Sequence, residues 1–397
     1  MITSQARRKG ALRGKTAHPR PADPPTFFLS KSSIEHRAES LTDPIECLRY
    51  LRKATRNSYP GCSRKIWIAS FLAAIPMMCL RSDAIPNTPA SKAPAIAKVL
   101  QPPALKTLNV WPVEQNRDYD LYSNGLRIEN NLAVSNEPRS YYLIDQSSGK
   151  IGPMRTAPSG IVFHTTESDQ TAFEPDQKNA LQRIGHDLLL YVRDKRAYHF
   201  VIDRFGRVHR IVVESDVAYH AGTSAWADSK WSYVDLNASF LGVAFEAQMR
   251  PDNTIITEGQ LRAAKALTEM LRSKYNLPAE DCVVHAQISI NPANWGIGLH
   301  TDWGFGFPFR ELGLPDNYQM PNPNIYLFGF EYDSTYTART GPALWNGLAA
   351  ADARVHKGAV EHGMTPAEYR KILQKRFREA LSAVHKNAGE ENPHESN

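Results

Sequence analysis

Three residues of metal-ligating type stand out by where they fall in the chain. His164 closes the apolar run Ser159–His164 (SGIVFH), His285 follows Cys282–Val284, and Asp302 sits in His300-Thr301-Asp302-Trp303-Gly304. Two imidazoles and one carboxylate make a borderline donor set that suits Zn²⁺ and leaves a fourth tetrahedral position for water. Zinc in such a set lowers the pKa of water to about 7 and polarises a carbonyl, so an amide can be hydrolysed at neutral pH without a nucleophilic side chain. Spacing alone is a weak warrant for this chemistry. The chain has 13 histidines, and a histidine at a strand end is more often a packed or surface residue.

Such a site needs strands and helices to hold it, and the pattern supplies them. Ser159–His164 is short, apolar and followed by the polar stretch Thr165–Gln170, which reads as a buried strand. Pro175 then opens a helix with Leu181, Ile184, Leu188, Leu189 and Val192 on one face. Tyr198–Asp203 and Arg207–Val213, split by Phe205-Gly206, predict a hairpin. Phe240–Gln248 is another strand-like run. Thr257, with Gln260 three residues on, starts a helix whose stripe is Leu261, Ala264, Leu267, Met270 and Leu271. From about residue 105, strands and helices are expected to alternate. Thr365-Pro366-Ala367-Glu368 starts a last helix, with Tyr369, Ile372, Leu373, Ala380, Leu381 and Val384 on one face. The fold class expected is α/β: a central mixed β-sheet flanked by helices, one domain over residues 105–330, and a helical C-terminal extension over 331–397.

Charge is distributed unevenly. The net +6 looks like a nucleic-acid signal until it is placed: residues 1–65 hold 14 Lys/Arg against 5 Asp/Glu, leaving the other 332 residues at −3. A basic footprint on the folded domain is therefore excluded, and no nucleic-acid partner is expected. Residues 1–63 read as a basic disordered arm, or as sequence upstream of the true start. Ile66–Leu80 is 15 residues without a charge, preceded by Arg64-Lys65. That is short of the ~20 residues of a membrane span but right for the apolar part of a signal peptide. Residues 64–84 are accordingly expected to be a signal peptide, with Ser82 and Ala84 at the cleavage site, or an uncleaved membrane anchor. The location implied is periplasmic or extracellular, with anchorage to the inner membrane as the alternative. Five prolines, with four alanines between them, make residues 85–104 a stiff linker. Of the four cysteines only Cys282 lies beyond the apolar segment, so no intrachain disulfide is expected in the exported part. Nothing in the sequence marks an oligomer.

The words around the three ligand-type residues sharpen the reading. Ile161-Val162-Phe163-His164-Thr165 is followed in order by Ala197-Tyr198-His199-Phe200-Val201-Ile202-Asp203 and by Val217-Ala218-Tyr219-His220-Ala221-Gly222. Asn237-Ala238-Ser239-Phe240-Leu241-Gly242-Val243, the Gln260–Tyr275 helix, His285 and His300-Thr301-Asp302 complete the set. Over roughly residues 155–310 the chain resembles the zinc amidases of the N-acetylmuramoyl-L-alanine amidase type 2 and peptidoglycan-recognition-protein superfamily. The resemblance implies one zinc per chain on His164, His285 and Asp302, and a peptidoglycan or muropeptide substrate cut between N-acetylmuramic acid and L-alanine.

It also implies roles nearby. His300 falls where the family often has Lys beside the oxyanion, and a protonated His would serve there pH-dependently. Tyr198 matches a tyrosine close to the reacting water in some members, or is an ordinary strand aromatic. The usual glutamate position is Ala244 here, and Glu246 comes two residues later on the same strand face. It is either the displaced general base or a rim residue, with Glu167 as the outside candidate. Tyr219 and His220 match a pair on the groove floor. The insertion Ile290–Leu299 offers Trp295 as a groove wall, or as a packed loop residue, and Trp303 as a further substrate contact. His199 is expected in the core, and His186, His209, His356 and His362 on the surface. Two other functions stay open: a peptidoglycan-binding module without catalysis, and a zinc amidase for another N-acylated peptide.

Overall fold

The computed structural model describes residues 109–250 and 256–390. The arm, the apolar segment and the Pro/Ala linker, residues 1–104, lie outside the described residues. Among the described residues six strands come before the first helix, where alternation was expected; the first five are β1 (Pro112–Gln115), β2 (Tyr119–Tyr122), β3 (Arg127–Glu129), β4 (Tyr141–Asp145) and β5 (Ile151–Arg155). Turn chemistry explains the difference. Gly125 has φ +82 between β2 and β3, and the Asp145 carboxylate accepts the backbone N–H groups of Ser147 and Ser148 between β4 and β5. Both turns fold strand back on strand and leave no length for a crossover helix.

The next elements are β6 (Gly160–Thr165), α1 (Lys178–Asp194), β7 (Phe200–Ile202), β8 (Val208–Arg210), β9 (Ala225–Ala227), β10 (Trp231–Val234), the short α2 (Leu236–Ser239) and β11 (Phe240–Phe245), of which β6, α1, β7, β8 and β11 were expected. After them come α3 (Glu258–Tyr275), β12 (Cys282–Val284), the single turn α4 (His285–Ile288), β13 (Ile290–Asn291), β14 (Gly296–Ile297) and α5 (Pro323–Tyr326). The C-terminal region is helical: α6 (Ser334–Arg339), α7 (Pro342–Glu361) and α8 (Pro366–Glu390). Among the described residues no helix is long and apolar enough to cross a membrane.

Eight strands form a mixed sheet in the order β1-β2-β3-β8-β7-β11-β6-β12, and β7, β11, β6 and β12 run parallel. Every residue of β6 and β11 is buried, as parallel strands covered on both faces must be. One face carries Val201 and Ala244 under Leu189 and Val192 of α1. The other carries Phe163, Ile202, Val243 and Phe245 under Ala264, Leu267, Met270 and Leu271 of α3. The Thr257 cap behaves as expected: its Oγ1 accepts the Gln260 N–H at 3.1 Å, and Gln260 Oε1 accepts the Thr257 N–H at 3.0 Å. A smaller antiparallel sheet, β5-β4-β10-β9, packs Tyr141, Leu143, Trp226 and Tyr233 against Val162, Phe240 and Val283. The C-terminal helices join the α3-side core through Leu344, Leu348, Ala351, Val355 and Phe377. Truncating one such buried Leu or Phe to Ala typically costs about 2–5 kcal/mol, so these helices are part of the hydrophobic interior.

Candidate metal centre

Register brings the two histidines together. β12 pairs in parallel with β6, Val283 beside Val162 and Val284 beside Phe163, so His285 emerges next to His164 at the same end of the sheet. Asp302 arrives from a loop fastened on both sides. Its carbonyl accepts the Ala286 N–H at 3.1 Å, and the His300 N–H donates to Ser289 Oγ at 3.1 Å. Trp303, with φ +55 and no exposed surface, turns the chain into the core against Phe245 and Phe307. Tyr318 Oη then donates to the Trp303 carbonyl at 2.7 Å.

One donor atom from each of His164, His285 and Asp302 lies within 4.8 Å of the others. Asp302 Oδ1 is 2.9 Å from His285 Nδ1, and Oδ2 is 3.3 Å from His164 Nδ1. Donors about 2.0–2.2 Å from a tetrahedral ion are about 3.3–3.6 Å apart; the His164 separation matches such an edge of a zinc coordination shell and the His285 separation is shorter. Charge fits as well. Burial, with His285 beside it, lowers the His164 pKa to about 4, so its ring is neutral. Burial opposes ionisation of Asp302, yet His285 beside it holds its carboxyl far below the usual carboxylate range. A buried carboxylate between imidazoles calls for a cation, and the residues present suit Zn²⁺.

Around this centre stand the groups expected to act. The Tyr198 ring lies 5.1 Å from that of His164, on a backbone with φ +65. Burial, then Asp302 and Glu167, raise its hydroxyl pKa, so it stays protonated. His300 stacks on His285 at 4.8 Å and 19°. Burial and His285 lower its pKa, a shift away from the protonated form that the oxyanion role would use. Tyr219 is 50% exposed and stands at the surface next to His220. Glu167 adopts φ +49, with its Oε1 accepting the Met249 N–H at 2.9 Å and the Thr165 hydroxyl at 2.6 Å. Nothing in its immediate sequence marks it beyond its place after His164.

Four expected contacts fall elsewhere. Trp303 is in the core, because the left-handed turn after Asp302 points its indole inward. Trp295 stacks on Phe330 at 5.8 Å and meets Phe377 of α8 edge-on, so the loop after α5 and the last helix take its ring and it forms no groove wall. His220 is 7% exposed and enclosed beside His164, its Nδ1 3.1 Å from His164 Nε2. Glu246 shares a strand face with Ala244, but α1 covers that face beyond the strand end. Its carboxylate meets Gly185 of α1 and accepts the Arg204 N–H at 3.1 Å. Burial raises its pKa, and the charges that act on it are Asp203, Arg204 and Arg207. His209 is buried as well, its Nε2 3.2 Å from the Asp203 carboxylate, where the surface was expected. His199 lies in the core with no exposure, its Nδ1 accepting the Gly242 N–H at 2.9 Å.

Residues 154–304 match the family described as N-acetylmuramoyl-L-alanine amidase. Solved structures similar to this chain include the N-acetylmuramoyl-L-alanine amidase LysC from Clostridium intestinale URNW. It is 22% identical over 45% of this chain and 93% of that one, with a TM-score of 0.25. Another is the N-acetylmuramyl-L-alanine amidase AmiD from E. coli with an anhydro-N-acetylmuramic acid peptide substrate, 21% identical over 47% and 72%, TM-score 0.31. A third is the drosophila peptidoglycan recognition protein SD, 19% identical over 40% and 84%, TM-score 0.25. No curated protein matches the chain.

Proposed function

We propose, for a chain whose residues 154–304 match the N-acetylmuramoyl-L-alanine amidase family, that it is a zinc-dependent hydrolase of the amide between N-acetylmuramic acid and L-alanine in peptidoglycan. The observation that carries this reading is the convergence of His164, His285 and Asp302, from three separate segments of that domain, on one point. These three residues would hold one zinc. When bound, zinc supplies Lewis acidity, polarising the amide carbonyl and making water acidic enough to ionise near neutral pH.

The remaining work falls to this chain's own groups. Tyr198 keeps its proton, so its Oη is a hydrogen-bond donor beside the His164 ring, placed to meet an oxygen that gains charge. The lowered pKa of His300 favours its neutral form, in which a ring nitrogen can accept a proton from water and pass it to the leaving amine. Stacking on His285 holds that ring at the mouth of the site. Export remains part of the proposal, on the ground of the apolar segment Ile66–Leu80.

The test is mass spectrometry of purified peptidoglycan incubated with the zinc-loaded intact chain, with His285→Ala as control. We expect free stem peptides with a new L-alanine amino terminus and intact glycan strands, and neither from the control. Binding to peptidoglycan without release of peptide would replace the amidase with a binding module.

A further inference from the structure

We propose that His220 is a positioning residue: it fixes His164 in the tautomer whose bare Nδ1 faces Asp302, so that metal affinity depends on a side chain outside the coordination sphere. The inference rests on the metal-site part of the preceding reading and is independent of the amide-hydrolysis part.

The argument follows donors and acceptors along three groups. A backbone carbonyl can only accept, and His220 Nε2 lies 3.4 Å from the Phe240 carbonyl. His220 Nε2 must therefore carry the ring's proton, and a neutral imidazole has only one N–H. Its Nδ1 is then an acceptor, and the atom facing it at 3.1 Å is His164 Nε2. His164 must donate from Nε2, which leaves Nδ1 with a free lone pair 3.3 Å from Asp302 Oδ2. A bare nitrogen beside a carboxylate oxygen is repulsive unless a cation lies between them, and that is the arrangement a metal site requires. In the opposite tautomer His164 Nδ1–H would donate to Asp302, and the metal would have to displace that proton and turn the tautomer over.

Three separate segments hold the His220 ring in place. Asn237 Oδ1 accepts the backbone N–H groups of both His220 and Ala221 at 2.8 Å, pinning the turn that presents the ring. Position 242 on β11 has no side chain where the ring passes, for a Cβ there would lie 2.5 Å from His220 Cγ. The ring meets that of His164 edge-on at 5.2 Å and 79°, the approach that aims one imidazole's nitrogen at the other. Tyr219-His220-Ala221, Asn237 and Gly242 are thus explained together, as the mounting of one imidazole.

Zinc dissociation constants measured on the intact chain by competition with a chromophoric chelator test the proposal. His220→Leu fills the space without an acceptor and should weaken zinc binding about 10–100-fold. His220→Asn keeps an acceptor oxygen near the Nδ1 position and should stay within about 5-fold of the parent. Gly242→Ala leaves every polar group in place but displaces the ring, so it should approach His220→Leu. Combining the two should add little to either, because they remove the same contact. Nitrogen-15 histidine spectra of the zinc-loaded parent need no variant and should show His164 protonated at Nε2 and ligated through Nδ1. Zinc affinity unchanged in His220→Leu, or a proton on His164 Nδ1, would overturn the assignment while leaving the metal site intact. A parent that binds no zinc would sink the metal site and this assignment together.

Discussion

Replacing Asp302 by asparagine removes one charge and almost no volume, so it isolates what the carboxylate does. Its two oxygens serve two imidazoles, Oδ1 at 2.9 Å from His285 Nδ1 and Oδ2 at 3.3 Å from His164 Nδ1. An amide has one oxygen and one NH₂, so in either orientation a donor hydrogen points where the ion should sit. The contacts that hold the loop do not use the carboxylate: the Asp302 carbonyl accepts from Ala286, and the Trp303 carbonyl from Tyr318. Asp302→Asn should therefore fold and lose only the metal. A ligand present at about 100 times its dissociation constant stabilises a folded protein by about 2.7 kcal/mol. For a domain of about 150–250 residues, 1 kcal/mol moves the melting temperature by about 2–4 °C. Together these predict that zinc raises the melting temperature of the chelator-stripped parent by about 5–10 °C and that of Asp302→Asn by nearly nothing. Differential scanning fluorimetry across a zinc titration measures both. An equal zinc-dependent rise in the variant would refute the reasoning, and so would a parent insensitive to zinc.

Two further outcomes follow from groups outside the candidate metal centre. Asp281 is fully enclosed, and burial, with Asp228 beside it, raises its pKa to about 8. The folded state then binds a proton that the unfolded state releases near pH 4, so stability is lost as pH rises from about 4 to 8, at up to about 1.4 kcal/mol per unit. Chemical denaturation at pH 5 and pH 8 should show Asp281→Asn gaining about 2–4 kcal/mol on the parent between them, and parallel pH dependences would count against this. Tyr336, buried on α6, donates its hydroxyl to the Ala286 carbonyl at 2.6 Å, one residue after His285. Tyr336→Phe should lower stability by about 1–2 kcal/mol with zinc affinity within about 3-fold of the parent, and an unchanged melting temperature would mean that carbonyl has another partner.

Much of the centre was legible in the chain itself. His164 ends an unbroken apolar run, and His285 ends another, because a strand buried on both faces must stay apolar until it emerges, and the first polar residue marks its end. Thr257 and Gln260 announced α3 because a capping box is satisfied locally, within three residues. What a side chain meets after it leaves its element was beyond this kind of reading. Strand period placed Glu246 and Ala244 on one face but could not show that α1 lies over that face and carries the carboxylate to Arg204. The same gap separates Trp303 and Trp295 as sequence from their packed places: one depends on a left-handed backbone turn, the other on aromatic rings more than thirty residues downstream. His220 is the clearest case. Its sequence neighbours say nothing of His164, Asn237 or Gly242, and only the parallel pairing of β6 with β11 puts all four side by side. Residue type and local period determine what chemistry is present and at which strand end. Long-range packing decides which atoms face each other, because the sequence does not carry the distances between segments that meet only on folding.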